Sequence, residues 1–245
     1  MKKRFETLDS LRGIAVLSMV LFHLMFDIKE IFGGDSSWSS GTMVHMWQRS
    51  ICFTFIIVSG FVWIYGKHSA VKRGLFLTLV GVAVTVVTVI FVPAAPVYFG
   101  VMSFFGCAVL IMLPAEKLLR HIPSSVGAAL SLVLFFLTEY VSYGRIGLFG
   151  HTFFSLPQQL YLSDFGAPLG FHSRGFYSAD YYPIIPWIFL YFFGYFLERL
   201  IARTKFFEKI AHVKEPVFSF IGRHAVLIYV LHQPVCYGIC MLLFG

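Results

Sequence analysis

Two ionisable residues, His23 and Asp27, lie four residues apart inside an apolar run near the start of the chain. On a helix, residues i and i+4 lie one above the other, and the same stripe continues back through Val20 and Val16 to Arg12. At about 1.5 Å rise per residue, Arg12 is roughly 16 Å from His23, about half of a bilayer core. Ionisable groups at that depth are costly, so they usually face a protein interior or a water-filled cavity. We therefore interpret the stripe as a candidate active site.

The residue types on this stripe indicate acid–base chemistry. His23 could act as a base, with Asp27 as the carboxylate that holds its tautomer and favours its protonated form. Alternatively, the two side chains only hold helices together. Two ionisable groups on one stripe are costly to keep for packing alone, and this favours the functional interpretation.

Asp9 and Arg12 stand at the entry of the same helix. In one interpretation Asp9 caps the helix and Arg12 anchors it at the membrane interface. In the other, Arg12 faces a cavity and binds an anionic group such as a phosphate. Spacing alone leaves both open.

The last apolar run carries His232, Cys236 and Cys240 at intervals of four residues. A zinc site needs a closed shell of about four ligands with outer partners. We therefore expect no metal here, and we expect His232 to face the bundle interior and to hydrogen-bond to another helix.

Three further residues could lie near the outer mouth of a bundle. Asp180 and Tyr181 precede the sixth apolar run, where Asp180 could equally cap that helix. Arg49 could pair with Asp27 or Asp35, or it could reach the interface as an anchor.

The composition is that of a polytopic helical membrane protein. Of 245 residues, 58% are hydrophobic and 13% are charged, whereas soluble chains carry about 25% charge, and the mean hydropathy is +0.79. Apolar runs of about 20 residues recur, each long enough to cross a bilayer. We expect one all-α integral-membrane domain over residues 1–245, without a cleaved signal because no small-residue cleavage site follows the first run.

Seven transmembrane helices are predicted, at residues 10–28, 46–65, 74–92, 98–113, 126–140, 183–200 and 218–244. The segment between helices five and six, residues 141–182, is rich in Phe, Tyr and Leu, a poor composition for disorder. We therefore expect a structured outer loop that packs as a cap. An amphipathic basic linker, residues 198–217, precedes the last helix.

The basic residues predict orientation, because Lys and Arg concentrate on the cytoplasmic side. With the N-terminus in the cytoplasm, the cytoplasmic segments hold most of the 19 basic residues. This set is Lys2, Lys3, Arg4, Arg12, Lys67, Lys72, Arg73, Lys117, Arg120, Arg199, Arg203, Lys205, Lys209, Lys214 and Arg223. The net charge of +7 therefore reads as a topology signal and does not indicate nucleic-acid binding.

Several stretches, in order along nearly the whole chain, are similar to one family. The opening LDSLRGIAVLSMVLFHLMFD resembles the first helix of the bacterial relatives of heparan-α-glucosaminide N-acetyltransferase. Four more stretches fit that family: FIIVSGFVWI, YFGVMSFFGCAVLIMLP, SADYYPIIPWIFLYFFGYFL and GRHAVLIYVLHQP. The LD-x-LRG start alone is shared with the wider set of membrane acyltransferases that modify surface polysaccharides.

The resemblance implies acyl transfer from cytosolic acetyl-CoA to an amine or hydroxyl of a sugar or cell-envelope glycan. Asp9, Arg12 and His23 match the family's first-helix motif, and Asp27 matches its FH-x-x-x-D extension. The animal enzyme has an asparagine at the position of His23, and its catalytic histidine falls near Asp35. This chain therefore departs from the animal enzyme at both positions. The departure makes heparan a doubtful substrate and His23 the natural replacement for the catalytic histidine.

The resemblance also implies a donor site, in which the phosphates of acyl-CoA meet Arg12, with Asp9 beside it, and the basic turn around Lys72 and Arg73. The acceptor would enter from the outer mouth. The candidate acceptor-binding residues are Asp180, Tyr181, His232 and Arg49.

The expected partners are membrane lipids, acyl-CoA and the glycan acceptor, in a multi-pass protein of the bacterial plasma membrane; a homodimer is left open. A different class of function also stays open: a proton-coupled transporter or lipid-interacting protein that uses His23 and Asp27 as a relay. The lack of inverted halves in the chain weighs against a transporter.

Overall fold

A computed structural model describes residues 5–35, 37–148, 150–211, 213 and 215–244. Of the expected cytoplasmic residues, Lys2, Lys3, Arg4 and Lys214 lie outside the described residues. The chain divides into two compact units. One is formed by Met1–Val58 with Ile201–Gly245, and the other by Ser59–Leu200.

The first unit contains the two ends of the chain. Its elements are α1 (Glu6–Phe26), a π-helical turn (Asp27–Phe32), a 3-10 turn (Trp38–Ser40), most of α2 (Thr42–Val62), α7 (Lys205–Ile210), α8 (Pro216–Arg223) and α9 (Ala225–Phe244).

Two glycines let α1 and α8 approach until their backbones touch. A Cβ atom on Gly13 would lie 2.0 Å from the carbonyl oxygen of Phe218, and one on Gly222 would lie 1.8 Å from that of Asp9. Small residues at such positions are the usual means of close helix packing in membranes. The start of α1 is further held by Thr7, whose hydroxyl donates to the carbonyl of Ile210.

The second unit begins with the end of α2 and contains the segment between the fifth and sixth predicted helices. Its further elements are a 3-10 segment (Trp63–Ser69), α3 (Ala70–Phe91), α4 (Val101–Leu119), α5 (Ser124–Thr138), a 3-10 turn (Val141–Tyr143), β1 (Arg145–Leu148), β2 (His151–Ser155), two 3-10 turns (Gln158–Tyr161 and Asp164–Leu169) and α6 (Ile184–Ile201).

Close helix contacts also organise this unit. A Cβ atom on Gly106 of α4 would lie 2.2 Å from the hydroxyl of Thr78 in α3, and one on Gly81 of α3 would lie 2.3 Å from the hydroxyl of Ser103 in α4. The two helices therefore meet over two successive turns.

The helices confirm an all-α polytopic membrane protein. Six stretches are long and apolar enough to cross a membrane, and one of them, Thr42–Phe91, has 50 residues. It comprises α2 (21 residues), the 3-10 segment Trp63–Ser69 (7 residues) and α3 (22 residues), and a span needs about 20 residues. The described residues therefore contain six such stretches where seven helices were predicted, and the longest stretch holds the second and third predicted helices in one run.

Helix boundaries differ from the prediction at both ends of the chain. The first helix begins at Glu6 rather than at residue 10, so Asp9 lies in its first turn and the N-cap is Phe5. The last predicted helix is two helices, α8 and α9, which are separated at His224 (φ −101°, ψ 16°). The short α8 turns aside there and lies against α1 through Gly222.

The segment between the fifth and sixth predicted helices is structured in its described residues, as expected, but it contains an unpredicted antiparallel hairpin. Strands β1 and β2 pair with Arg145 opposite Ser155 and Leu148 opposite His151. Gly150, between the strands, has φ +87°, which only glycine adopts without strain. The hydroxyl of Tyr161 donates to the carbonyl of Val141 and so ties the segment back to its start.

Candidate functional site

Two histidines meet between α1 and α9. The ring centroids of His23 and His232 are 4.7 Å apart, with the planes inclined at 60°. Phe22 stands edge-on to His23, with a centroid separation of 5.7 Å. The first unit therefore places two imidazoles in contact on an apolar background.

The tautomer of His232 follows from its neighbour. Its Nδ1 lies 2.6 Å from the carbonyl oxygen of Tyr229, and a carbonyl oxygen only accepts hydrogen bonds, so Nδ1 carries the proton. In the neutral ring, Nε2 then holds the lone pair. This hydrogen bond lies within α9, whereas the sequence led us to expect one to another helix, and the ring of His232 contacts His23 of α1.

Asp27 is fully buried, with 0% of its surface exposed, at the point where α1 passes into the π-helical turn. Its Oδ1 accepts a hydrogen bond of 3.0 Å from the amide Nε2 of Gln233 in α9. Among the described residues, no hydrogen bond joins Asp27 to His23, and Oδ2 of Asp27 has no hydrogen-bond partner. The role of Asp27 in orienting His23 therefore stays a prediction.

Arg12 and Asp9 form an ion pair at the start of α1. Nη1 of Arg12 lies 3.5 Å from Oδ1 of Asp9, and the Arg12 side chain is 25% exposed. Because Asp9 is inside the helix, the interpretation of Asp9 as the N-cap was wrong. Arg12 keeps a partly accessible guanidinium beside a buried carboxylate.

The early part of α2 flanks the histidine site. The indole Nε1 of Trp47 donates to the hydroxyl of Ser18 in α1 over 2.7 Å, and the Trp47 ring stands edge-on to Phe22 at 5.3 Å. These two contacts of Trp47 hold α2 against the α1 segment that carries His23.

Arg49, also in α2, does not pair with either carboxylate that the sequence suggested. Its guanidinium lies over the ring of Phe53, 5.3 Å from the centroid. Asp27 accepts its hydrogen bond from Gln233. Asp35 accepts hydrogen bonds from Ser37, and these lower the pKa of its carboxyl.

In the second unit, Lys72 and Arg73 line an open groove of about 300 Å³ together with Ser69 and Phe76. Lys72 is exposed and Arg73 is half-buried. The groove therefore combines two cations, a hydroxyl and an aromatic face.

Asp180 caps a helix, but not the one expected. Its Oδ2 accepts a hydrogen bond of 3.1 Å from the backbone N–H of Val101 at the start of α4, whereas the sequence suggested a cap on α6. The acidic group thus lies at the positive end of the α4 dipole.

The hydroxyl of Tyr181 donates to the carbonyl of Ala167 over 2.7 Å, and burial raises the pKa of this phenol. Its ring packs against Phe176, with centroids 5.0 Å apart. In the structure Asp180 therefore ties this segment to α4, and Tyr181 ties it to the 3-10 turn that contains Ala167.

Sequence reasoning assigned no role to Gln233, Tyr229 or Trp47. Gln233 carried one signal, an amide next to a histidine in an otherwise apolar helix. The other two look like ordinary aromatic residues of a membrane helix. As for metals, the described residues contain no group of three or more His, Cys, Asp or Glu that could hold an ion.

Comparison with known proteins identifies the family. No curated relative and no solved structure matches the chain. Residues 4–234, nearly the whole sequence, match the family described as heparan-alpha-glucosaminide N-acetyltransferase, catalytic. This match agrees with the helical bundle and supports a membrane acetyltransferase-like function in general. The chain therefore belongs to the family of heparan-α-glucosaminide N-acetyltransferase catalytic domains.

Proposed function

We propose that the protein transfers an acetyl group from cytosolic acetyl-CoA to an amine or hydroxyl of a sugar or cell-envelope glycan, with His23 as the catalytic base. One observation supports this most: His23 lies against a second imidazole, His232, between two apolar helices. An imidazole in such a site can take up the proton of the acceptor.

The chemistry needs one base and a leaving thiolate. A nitrogen of His23 takes the proton of the acceptor N–H or O–H as the acceptor atom bonds to the thioester carbon. The carbon–sulfur bond then breaks, and the CoA thiolate leaves and takes the proton back from the imidazolium. Proton and electron pairs balance in direct transfer. An acyl-imidazole intermediate on His23 would need one further exchange.

The anionic donor requires cations. In the unit that contains His23, the candidate is Arg12, whose guanidinium is 25% exposed beside Asp9. In the other unit, Lys72 and Arg73 give the groove its positive charge, and the exposed face of Phe76 suits a nucleobase. Arg is the better phosphate ligand because its planar fork donates two hydrogen bonds at once.

Binding of acetyl-CoA tests the donor assignment. Purified protein in lipid nanodiscs would be titrated with acetyl-CoA by calorimetry, as wild type, Arg12→Ala and the double variant Lys72→Ala/Arg73→Ala. We expect micromolar binding, weakened about tenfold or more in a variant that loses a phosphate contact. The matched control is Arg145→Ala, which removes an exposed cation from the outer hairpin.

Transfer itself would be followed by CoA release with a panel of amino sugars and hydroxyl acceptors. His23→Ala should keep donor binding and lose CoA release. A folded wild-type protein that fails to bind acetyl-CoA at millimolar concentration would contradict the proposal.

The fully buried Asp27 beside a histidine pair favours one alternative, a proton relay in a transporter. A transporter would show proton-coupled flux in liposomes that does not depend on CoA. Flux of this kind without CoA release would put the alternative first.

A further inference from the structure

The contact between Asp27 and Gln233 contains two oxygens that lack donors. Nε2 of Gln233 donates to Oδ1 of Asp27 over 3.0 Å. The other oxygen of each group, Oδ2 of Asp27 and Oε1 of Gln233, is buried and has no hydrogen-bond partner among the described residues. The contact is therefore only half satisfied as long as both oxygens act as acceptors.

An ionised carboxylate and an amide oxygen can only accept hydrogen bonds. Leaving either one unpaired inside an apolar bundle is costly, and a buried unpaired carboxylate is the costlier of the two. Within the described part of the chain, no Lys, Arg or His side chain forms an ion pair with Asp27. The negative charge would thus have no counter-charge.

A single proton on Oδ2 resolves both deficits. It turns Oδ2 into a donor, and the amide oxygen of Gln233 is the acceptor that lacks one. A carboxylic acid and a primary amide can exchange two hydrogen bonds side by side, with N–H donating to one carboxyl oxygen and O–H donating to the amide oxygen. All four polar groups then have partners.

We propose that Asp27 is the neutral carboxylic acid, that its Oδ2–H donates to Oε1 of Gln233, and that Gln233 is a positioning residue which fixes α1 against α9 so that His23 faces His232. The last part rests on the proposed function, because acyl transfer by His23 is what makes this alignment matter. In this arrangement Asp27 supplies no charge to His23, unlike the carboxylate that the sequence suggested.

Infrared spectroscopy tests the protonation state directly. At neutral pH the wild-type protein should show the carbonyl stretch of a protonated carboxylic acid, and Asp27→Asn should lack it. Gln233→Ala should shift the band because it removes both hydrogen bonds. The control Asp35→Asn removes an exposed carboxylate and should leave the band in place. A wild-type spectrum without this band would overturn the proposal.

Thermal unfolding provides the second test. Asn at position 27 keeps one donor and one acceptor in the same places, so Asp27→Asn should melt close to the wild type. Asp27→Ala and Gln233→Ala each leave a buried polar group without its partner and should melt roughly 2–12 °C lower. Equal losses in Asp27→Asn and Asp27→Ala would mean that the ionised carboxylate is required, against the proposal.

The rate of acyl transfer provides a third test, because a change in stability alone would not alter this rate below the melting temperature. At a temperature below the melting point of every variant, acyl transfer should be slower in Asp27→Ala than in the wild type. Asp27→Asn should transfer the acyl group at least about tenfold faster than Asp27→Ala. The infrared and melting experiments need no turnover. They would decide the acid–amide pair even if the protein transferred no acyl group.

Discussion

The contact between α1 and α8 allows one substitution to be predicted quantitatively. In Gly222→Ala, the new Cβ would lie 1.8 Å from the carbonyl oxygen of Asp9. A carbon–oxygen contact needs about 3.3 Å, so the two backbones must separate by about 1.5 Å. Neither atom belongs to a flexible side chain that could move aside.

Overpacking of this kind typically costs about 1–3 kcal/mol, which for a chain of this size lowers the melting temperature by roughly 2–12 °C. The shift also displaces the helical turn that carries Asp9 and Arg12. Acetyl-CoA binding should weaken if Arg12 meets the donor. Melting in detergent and calorimetric titration measure the two effects.

Gly238→Ala is the matched control, because a Cβ on Gly238 in α9 would meet no atom within 4 Å. A helical Gly→Ala change in open space should be neutral or stabilise by about 0.5–1 kcal/mol. If Gly222→Ala melted as high as Gly238→Ala, the backbone contact between α1 and α8 would be refuted.

Three further predictions concern single side chains. His23→Ala should lower acyl transfer by about 10²- to 10⁴-fold with acetyl-CoA affinity unchanged; CoA release above a tenth of the wild-type rate would contradict its role as base. Asp180→Ala should cost about 1 kcal/mol, as the loss of a helix cap does, whereas Asp180→Asn, which keeps an acceptor oxygen, should melt near the wild type. Hydrogen bonds from Ser173 hold the pKa of Asp164 below its usual value of 3.8, so its contribution to stability is present at neutral pH and is lost as the pH falls through the folded-state pKa. The melting difference between wild type and Asp164→Asn should therefore shrink from pH 7 to pH 3, and a difference that grew on acidification would contradict this assignment.

The spans could be predicted from sequence because bilayer thickness fixes the length of an apolar run. The periodicity of α1 also predicted that His23 and Asp27 share a face turned to the protein interior, and both residues contact α9. It could not indicate that Asp27 would meet Gln233, which is 206 positions away. Periodicity defines the face of a helix, but not the register of the helix that packs on it.

Two local errors have different physical origins. The cap on α4 comes from Asp180, 79 positions away, and sequence windows cannot detect such distant partners. The break at His224 has no proline, and both of its flanks are apolar, so the hydropathy continues across it. The hairpin did leave a signal, since Gly144, Gly147 and Gly150 fall within seven residues, and so many glycines disfavour a helix.

The turn between β1 and β2 is a place where a protease could reach the chain. Gly150 is exposed, and a Cβ there would meet nothing within 4 Å, so a short protease site inserted after it should leave the packing of the bundle intact. Under the orientation that the basic residues predict, protease added to intact cells would cleave at this point. Cleavage only after lysis would place the hairpin in the cytoplasm and reverse every span. Cleavage at this turn thus reports the orientation of the whole chain in the membrane.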